Sequence, residues 1–368
     1  MVEVHLGDVD LLPPDAAVDR TDAELIRAVL LAYPGLMDRI RFSPDSCVCL
    51  YHCTHLTNIW SMVPRVVIEQ ELCSLLESLD VTAKDRERIR SRRGRADLLH
   101  RLLSHVIVKG FDRHLDDDPR LFAFDNGVFD MHESQGGAFR PIVPEDLVST
   151  PTGWSYDPDL AVQHRAELEA FLRRALPFEA NRKAVIDFHA RLLHGTRTVD
   201  QFLVLTDDVG GSEGKDLLSR LFLAFFGNVG LAGCTQFLCG TSSTRDASMN
   251  AYKASRLLVA NNLHPSMRLN TTILEPLTRG VDVVVGGVSA TDRFTWRAGI
   301  VLLLEEGHTP QFDADDPGLL QRMIHASVHA VRSVEDPHPH GVDYKIVRRF
   351  PLWLSALADI LREAYFDI

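Results

Sequence analysis

The sequence predicts an α/β protein with a largely parallel sheet built around a phosphate-binding loop, preceded by a smaller mixed α/β region. Three observations predict it. Gln201–Phe226 reads as an apolar strand, a glycine-rich turn, Gly-Lys and an amphipathic helix, which is the order of a P-loop. Further apolar runs at Leu257–Ala260, Val281–Val285 and Ile300–Leu304 alternate with helical patterns, as parallel βαβ units require. The chain has 368 residues, 45% of them hydrophobic, enough for two or three cores.

Composition narrows the function classes. The formal net charge is −12, so nucleic acid cannot be held by bulk positive charge, and any such contact needs a local basic patch. Six cysteines in a chain of this length make no dense disulfide framework, which points to a reducing, intracellular compartment. The first residues show no basic and apolar signal pattern, and no apolar stretch has the length of a membrane span.

In chain order, residues 1–22 read as a loosely docked lead containing Pro13-Pro14. Ala23–Ala32 is a short helix. Cys47–Cys53 alternates as a strand, with Cys47, Cys49, Tyr51 and Cys53 on one face and His52 and His55 nearby. Zinc ligation and a packed strand of small thiols are the two readings; the spacing matches no standard finger or ribbon, which favours packing. Val66–Leu79 is an amphipathic helix, and Lys84–Val108 a longer one broken near Gly94. The segment Lys84–Arg95 is the most basic in the chain: a solvated helix face, or a phosphate-contact surface. Leu121–Met131 is a pair of strands about the Asn126-Gly127 turn. Proline, glycine and aspartate cluster over Pro144–Asp159, so the boundary of the N-terminal domain, 23–159, is expected there. Leu160–Leu176 and Arg182–Leu193 are helices ahead of the P-loop. The core domain runs over 160–333, with Met267–Leu277 and Gly318–His325 read as helices. A helical extension, 334–368, contains Pro351–Tyr365.

In the P-loop, Leu217, Leu218, Leu221, Phe222 and Phe225 form the buried stripe of the helix. Gly210, Gly211, Ser212, Glu213 and Gly214 supply backbone N–H groups, the helix start adds its dipole, and Lys215 supplies a point charge for outer phosphates. Val209 stands where the pattern has its first glycine. Asp216 stands where a Ser or Thr hydroxyl would hold Mg²⁺; its carboxylate repels phosphate at short range or holds the metal itself. The plain alternative is an ordinary strand-to-helix turn with a surface lysine.

These residues together resemble the C-terminal part of poxvirus-type and phage or plasmid primase-helicases, in which a small domain precedes a superfamily 3 helicase core of the AAA+ type. Leu121–Asp159 is similar to the linker segment before that core. Phe171–Gly227 is similar to its lead helices and Walker A strand, RLLVANNL to Walker B, and Glu306–Met323 to the sensor and arginine region. The resemblance covers about the last two-thirds of the chain in order and spacing. It implies ATP and Mg²⁺ as cofactors, with Asn261 and Asn262 joining the P-loop residues around the nucleotide and Asp216 at the metal. It implies DNA as partner, a homo-oligomer of the hexameric kind with Arg322 reaching a neighbour's nucleotide, and a DNA-contacting hairpin near Val281–Arg297, where Arg293 and Arg297 are the cations. A viral setting would place the protein in the host cytoplasm, the nucleus or the virion.

The departures fall on the chemistry. Asn261 and Asn262 replace the acids that hold Mg²⁺ and polarise the attacking water. Gly307 stands at the sensor asparagine, and Gln321-Arg322 keeps one cation of a pair. Glu305 and Glu306 are substitutes for the base, or a solvated strand end. No primase-type catalytic segment stands out in Met1–Arg120. Two functions follow: an ATP-driven helicase module in DNA replication with impaired hydrolysis, or an inactive pseudo-helicase with a structural, assembly or regulatory role.

Overall fold

The computed structural model describes residues 20–43, 49–53, 57–132, 134, 136–196, 200–208, 214–233, 235–240, 252–261, 263–264, 266–280, 282–284, 293–305, 307–313, 316–331 and 344–368. Contacts divide the chain into two compact units, Met1–His55 with Trp60–Leu115, and Leu56–Ile59 with Asp116–Ile368.

The first unit contains α1 (Asp22–Ala32), α2 (Leu36–Arg39), β1 (Ile40–Ser43), β2 (Cys49–Cys53), β3 (Trp60–Met62), α3 (Arg65–Glu77), α4 (Ala83–Arg90), α5 (Arg92–His105) and α6 (Phe111–His114). Its strands form an antiparallel sheet in sequence order. A capping box starts α1: Thr21 accepts the Glu24 N–H, and the Glu24 carboxylate accepts the Thr21 N–H. The long helix expected over Lys84–Val108 is two helices. Its break falls at Ser91, whose hydroxyl accepts the Gly94 N–H at 3.0 Å and caps α5. Leu25, Val29, Leu72, Leu76, Ile89, Leu98 and Leu102 fill the core.

The second unit opens with β4 (Leu121–Phe124), β5 (Gly127–Asp130) and β6 (Ala138–Arg140), an antiparallel sheet turning at Asn126-Gly127 as its sequence predicts. Next come α7 (Pro158–Ala175), α8 (Glu179–Arg191), β7 (Phe202–Asp207), α9 (Gly214–Phe226), β8 (Gly230–Ala232), α10 (Thr235–Cys239) and β9 (Leu257–Ala260). The chain continues with β10 (Arg268–Leu269), α11 (Thr271–Arg279), β11 (Asp282–Val284), β12 (Arg293–Thr295), β13 (Gly299–Leu304), β14 (Gln311–Phe312), α12 (Pro317–Gln321) and β15 (Met323–Val328). It ends with α13 (Tyr344–Val347) and α14 (Phe350–Phe366).

Five of these strands form one parallel sheet in the order β15-β7-β13-β9-β8. The apolar runs at Phe202–Leu205, Leu257–Ala260 and Ile300–Leu304 are all in it; the run expected at Val281–Val285 is not, because β11 pairs antiparallel with β12 in a separate two-stranded sheet. The P-loop reading puts the strand Phe202–Leu205 in the centre, flanked by Leu257–Ala260 and Ile300–Leu304; instead β13 takes the middle, and β7 lies between β15 and β13 rather than beside β9. Successive residues serve opposite faces. Leu203, Leu205, Leu257, Val259, Val301 and Leu303 face a core with Leu218, Phe222, Phe225 and Trp353. Phe202, Val204, Leu258, Ile300 and Leu302 face a second core with Ile273, Leu277 and Trp296. Burial on both faces explains why these strands read as unbroken apolar runs.

Gly318–His325 is not one helix. α12 stops at Gln321, and Met323–Val328 pairs along β7 as an edge strand. Only Ala326 and Val328 of that strand are buried, so its alternation is faint in sequence and the leucines before it dominate the pattern. The start of α11 at Thr271 likewise corrects the helix expected from Met267, because Arg268–Leu269 pairs with β14.

The boundary expected at Asp159 also moves. Phe122, Phe124, Phe129 and Tyr156 belong to the same core as Leu218 and Phe225. Phe122 stacks on Phe225 with centroids 5.6 Å apart, and the Trp154 indole donates to the Phe225 carbonyl at 2.7 Å. The segment from Asp116 therefore packs as part of the P-loop unit.

His189 on α8 lies flat on Phe222 of α9, centroids 3.5 Å apart, and its Nδ1 donates to the Val185 carbonyl at 2.8 Å. Burial pushes its pKa down from the usual 6.5 to about 3. Between those values the unfolded chain binds a proton that the folded chain refuses, so this contribution is complete above pH 6.5 and is lost as pH falls towards 3. Denaturant unfolding between pH 6.5 and 4.5 checks this. Stability should fall with acid, and His189→Leu should flatten that fall by up to about 1.4 kcal/mol per pH unit. Parallel curves for the two proteins would refute it.

Candidate functional site

Parallel strands deliver their carboxyl ends to one edge of a sheet, where α/β proteins place their ligand sites. Here that edge carries Asp207 from β7, Glu305 after β13, Asn261 after β9 and His329 after β15. Thr206 is in register with Leu304, and Asp207 with Val328. β9 ends level with Leu302, short of the end of β13.

α9 begins at Gly214, so Gly214, Lys215 and Asp216 form its first turn. Gly214 has a packing reason to be glycine: a Cβ there would sit 2.7 Å from the His329 carbonyl oxygen. Lys215 is not the exposed surface lysine of the plain alternative. Its side chain is 13% exposed, and its ammonium is hydrogen-bonded to Asp207, whose side chain is 8% exposed. The backbone N–H of Lys215 donates to the other Asp207 oxygen at 3.1 Å. Asp216 Oδ2 lies 3.6 Å from the ammonium on a further side. Burial alone would push the Lys215 pKa down, but the Asp207 hydrogen bond and the charges of Asp216 and Asp207 outweigh it and raise the group above the ordinary lysine value. Beside this cluster, His329 Nδ1 pairs with Asp208 Oδ2 at 3.0 Å.

The other expected site residues scatter. Glu305 projects into solvent, with 72% of its side chain exposed and His308 at 3.9 Å, the solvated strand end of the two readings. The Asn261 carbonyl accepts the Thr235 hydroxyl. Arg322 lies against α11, 16% exposed, with Nη1 3.3 Å from the Thr278 hydroxyl and Nη2 3.9 Å from Glu275. Val209, Gly210, Gly211, Ser212, Glu213, Asn262 and Glu306 lie outside the described residues. Among the described residues no group of three or more His, Cys, Asp or Glu side chains is placed to hold a metal. Cys53 is buried in the first unit; Cys47 and His55 lie outside the described residues.

The hairpin expected near Val281–Arg297 exists as β11 paired with β12. Arg297 is not on it. That side chain turns to the opposite edge of the sheet, donating at 2.7 Å to the carbonyls of Asp116 and Asp117. Arg256, at the start of β9, donates to the Leu121 carbonyl at 3.1 Å, and burial together with Arg297 pushes its guanidinium down to about 9. Both arginines fasten the 116–121 segment. In the basic stretch, Arg88 pairs with Asp22 and Asp85, Arg90 with Glu77, Arg93 with Asp97 and Arg95 with Glu69, which reduces its field for phosphates.

Sequence reading passed over Asp207, the residue closest to the lysine. The signal was the Asp207-Asp208 pair ending an apolar strand, where a buried carboxylate needs a cation.

Residues 53–177 match the family described as D5 N terminal like, a span that holds the whole of Leu121–Asp159. A protein of Acanthamoeba polyphaga mimivirus, which carries a provisional helicase designation, is 25% identical over 217 residues. That stretch is 58% of this chain and 22% of the mimivirus protein. Two solved structures are distant likenesses. The NrS-1 C-terminal region is 10% identical with a TM-score of 0.48, covering 95% of this chain and 72% of that one. JCV helicase is 10% identical with a TM-score of 0.35, covering 94% and 87%. The resemblance to primase-helicases is thus borne out in sequence by the family match and the helicase relative.

The buried Asp207–Lys215 pair sets a stability prediction. Lys215→Ala would leave a buried carboxylate without its cation and should destabilise the second unit by about 3 kcal/mol. Adding Asp207→Ala should restore part of that loss. Chemical denaturation of the three proteins measures it, and an undiminished midpoint in Lys215→Ala would show that the pair carries no stability.

Proposed function

We propose that Asp116–Ile368 is a P-loop nucleotide-binding module of the superfamily 3 helicase type, serving viral or phage DNA replication with ATP hydrolysis reduced or lost. The observation that carries this is the position of Gly214-Lys215. They head the helix that follows a buried parallel strand, at the edge where the next strands end. Helix dipole, backbone N–H groups and a lysine converge there, as phosphate binding requires. The match to a D5 N terminal like segment and the mimivirus relative support the helicase reading. DNA as substrate, ring assembly and residence in the host cell or virion belong to the same proposal.

The fit to ATP and Mg²⁺ is incomplete. Asp207 already takes both the N–H and the ammonium of Lys215, so phosphate oxygens do not fit there while that carboxylate stays. Asp216, the carboxylate of α9 that would hold Mg²⁺, faces the lysine too, at 3.6 Å from its ammonium. No hydrolytic step can be derived from this arrangement. With Asn261 in place of an acid and Glu305 in solvent, the second reading, an inactive pseudo-helicase with a regulatory or assembly role, has specific support.

Turnover separates the readings. Replacing a preorganised charged group commonly lowers a rate by about 10²–10³, so ATPase activity of the native protein, with Mg²⁺ and single-stranded DNA, should stay within a few-fold of a Lys215→Ala control. Restoring Asn261→Asp and Asn262→Glu together with Asp216→Ser should raise it. A brisk DNA-stimulated ATPase in the native protein would overturn the impairment.

A further inference from the structure

The two donors that a phosphate would use at the head of α9 are both occupied by one side chain. Asp207 Oδ1 accepts the Lys215 N–H at 3.1 Å, and Asp207 Oδ2 accepts from the ammonium. A carboxylate and a phosphate present similar paired anionic oxygens, and both prefer a backbone N–H at a helix start combined with a cation. From this geometry we infer that Asp207 is a built-in anion seated in the phosphate position, which occupies the Lys215 donors until a ligand displaces it. The inference rests on the P-loop reading of Lys215 and adds a regulatory element to that site.

Three features make the contact a competitor rather than a bystander. Asp207 is the last residue of β7, held in register with Val328 of β15, so the strand presents its carboxylate to α9. The pair is nearly buried, at 8% and 13% side-chain exposure, where charge attraction is little screened by water. Asp216, at 3.6 Å from the same ammonium, gives the lysine a second carboxylate and adds a negative charge that an incoming phosphate must meet. Nucleotide affinity is then lowered by the fraction of molecules in which Asp207 has left the seat. A ligand pays that opening free energy whether or not the site can hydrolyse it.

The test is calorimetric titration of the full chain with inorganic pyrophosphate, and separately with ATP, without added metal. The proteins are the native chain, Asp207→Asn, Asp207→Ser, Lys215→Ala and Asp207→Asn combined with Lys215→Ala. Removing the carboxylate charge should tighten pyrophosphate binding by roughly tenfold to a hundredfold, the weight of a charge-assisted hydrogen bond in an equilibrium. Lys215→Ala should abolish the gain. Native and Asp207→Asn proteins binding equally, with both losing affinity on Lys215→Ala, would overturn the carboxylate stand-in and leave the P-loop reading intact. Weaker binding by both Asp207 variants would also overturn it. Absence of pyrophosphate and ATP binding in every protein, each melting cooperatively, would overturn both. Amine labelling of the native chain guards against misfolded variants: Lys215 should react much more slowly than the exposed Lys109, and equal rates would overturn the inference.

Discussion

The parallel ladder between β7 and β13 is the constraint on which the second unit depends. It places the strand that leads into the glycine loop beside the middle strand of the sheet, with β15 on the other flank. Every residue of β7 and β13 is buried, and alternate residues feed two different cores. A parallel strand with both faces covered cannot slip by one residue without exchanging its two apolar sets. The register therefore fixes the level at which Asp207, Glu305 and the start of α9 emerge, and the site's geometry follows from it.

What emerges there is an electrostatic compromise. A lysine at the head of a helix meets an unfavourable dipole and, when buried, a desolvation cost. Asp207 offsets both, because its two oxygens satisfy the ammonium and a backbone N–H that the helix start leaves open. The same features that would attract phosphate are thus the features that attract an internal carboxylate. Stability of the apo fold and affinity for a nucleotide draw on one set of donors.

At the opposite edge, arginine serves architecture. Arg256 and Arg297 precede β9 and β13 and reach the carbonyls of Leu121, Asp116 and Asp117. Trp154 and Phe122 then lock the following segment on α9. This explains why residues 116–159, all of which read from sequence as part of a separate domain, pack with the P-loop unit. It also removes Arg297 from the cations available to the β11–β12 hairpin.

The sequence by itself determined the features that local chemistry dictates. The α/β class, the β7-turn-α9 unit, the β4–β5 hairpin at Asn126-Gly127 and the helices α3, α7, α8 and α14 were legible. Each is written in the spacing of apolar residues, or in a turn dipeptide, within a single stretch of chain. Tertiary structure alone decided the strand order, the half-exposed edge strand β15, the packing of 116–159 and the destinations of Arg297 and Arg322. It alone showed that Asp207 faces Lys215. These depend on which distant segments lie side by side, and a side chain's partner is set by strand register and by what its neighbours leave unsatisfied. The glycine-rich pattern could announce a place for an anion; only the packing of β7 against α9 could show that the chain supplies one of its own.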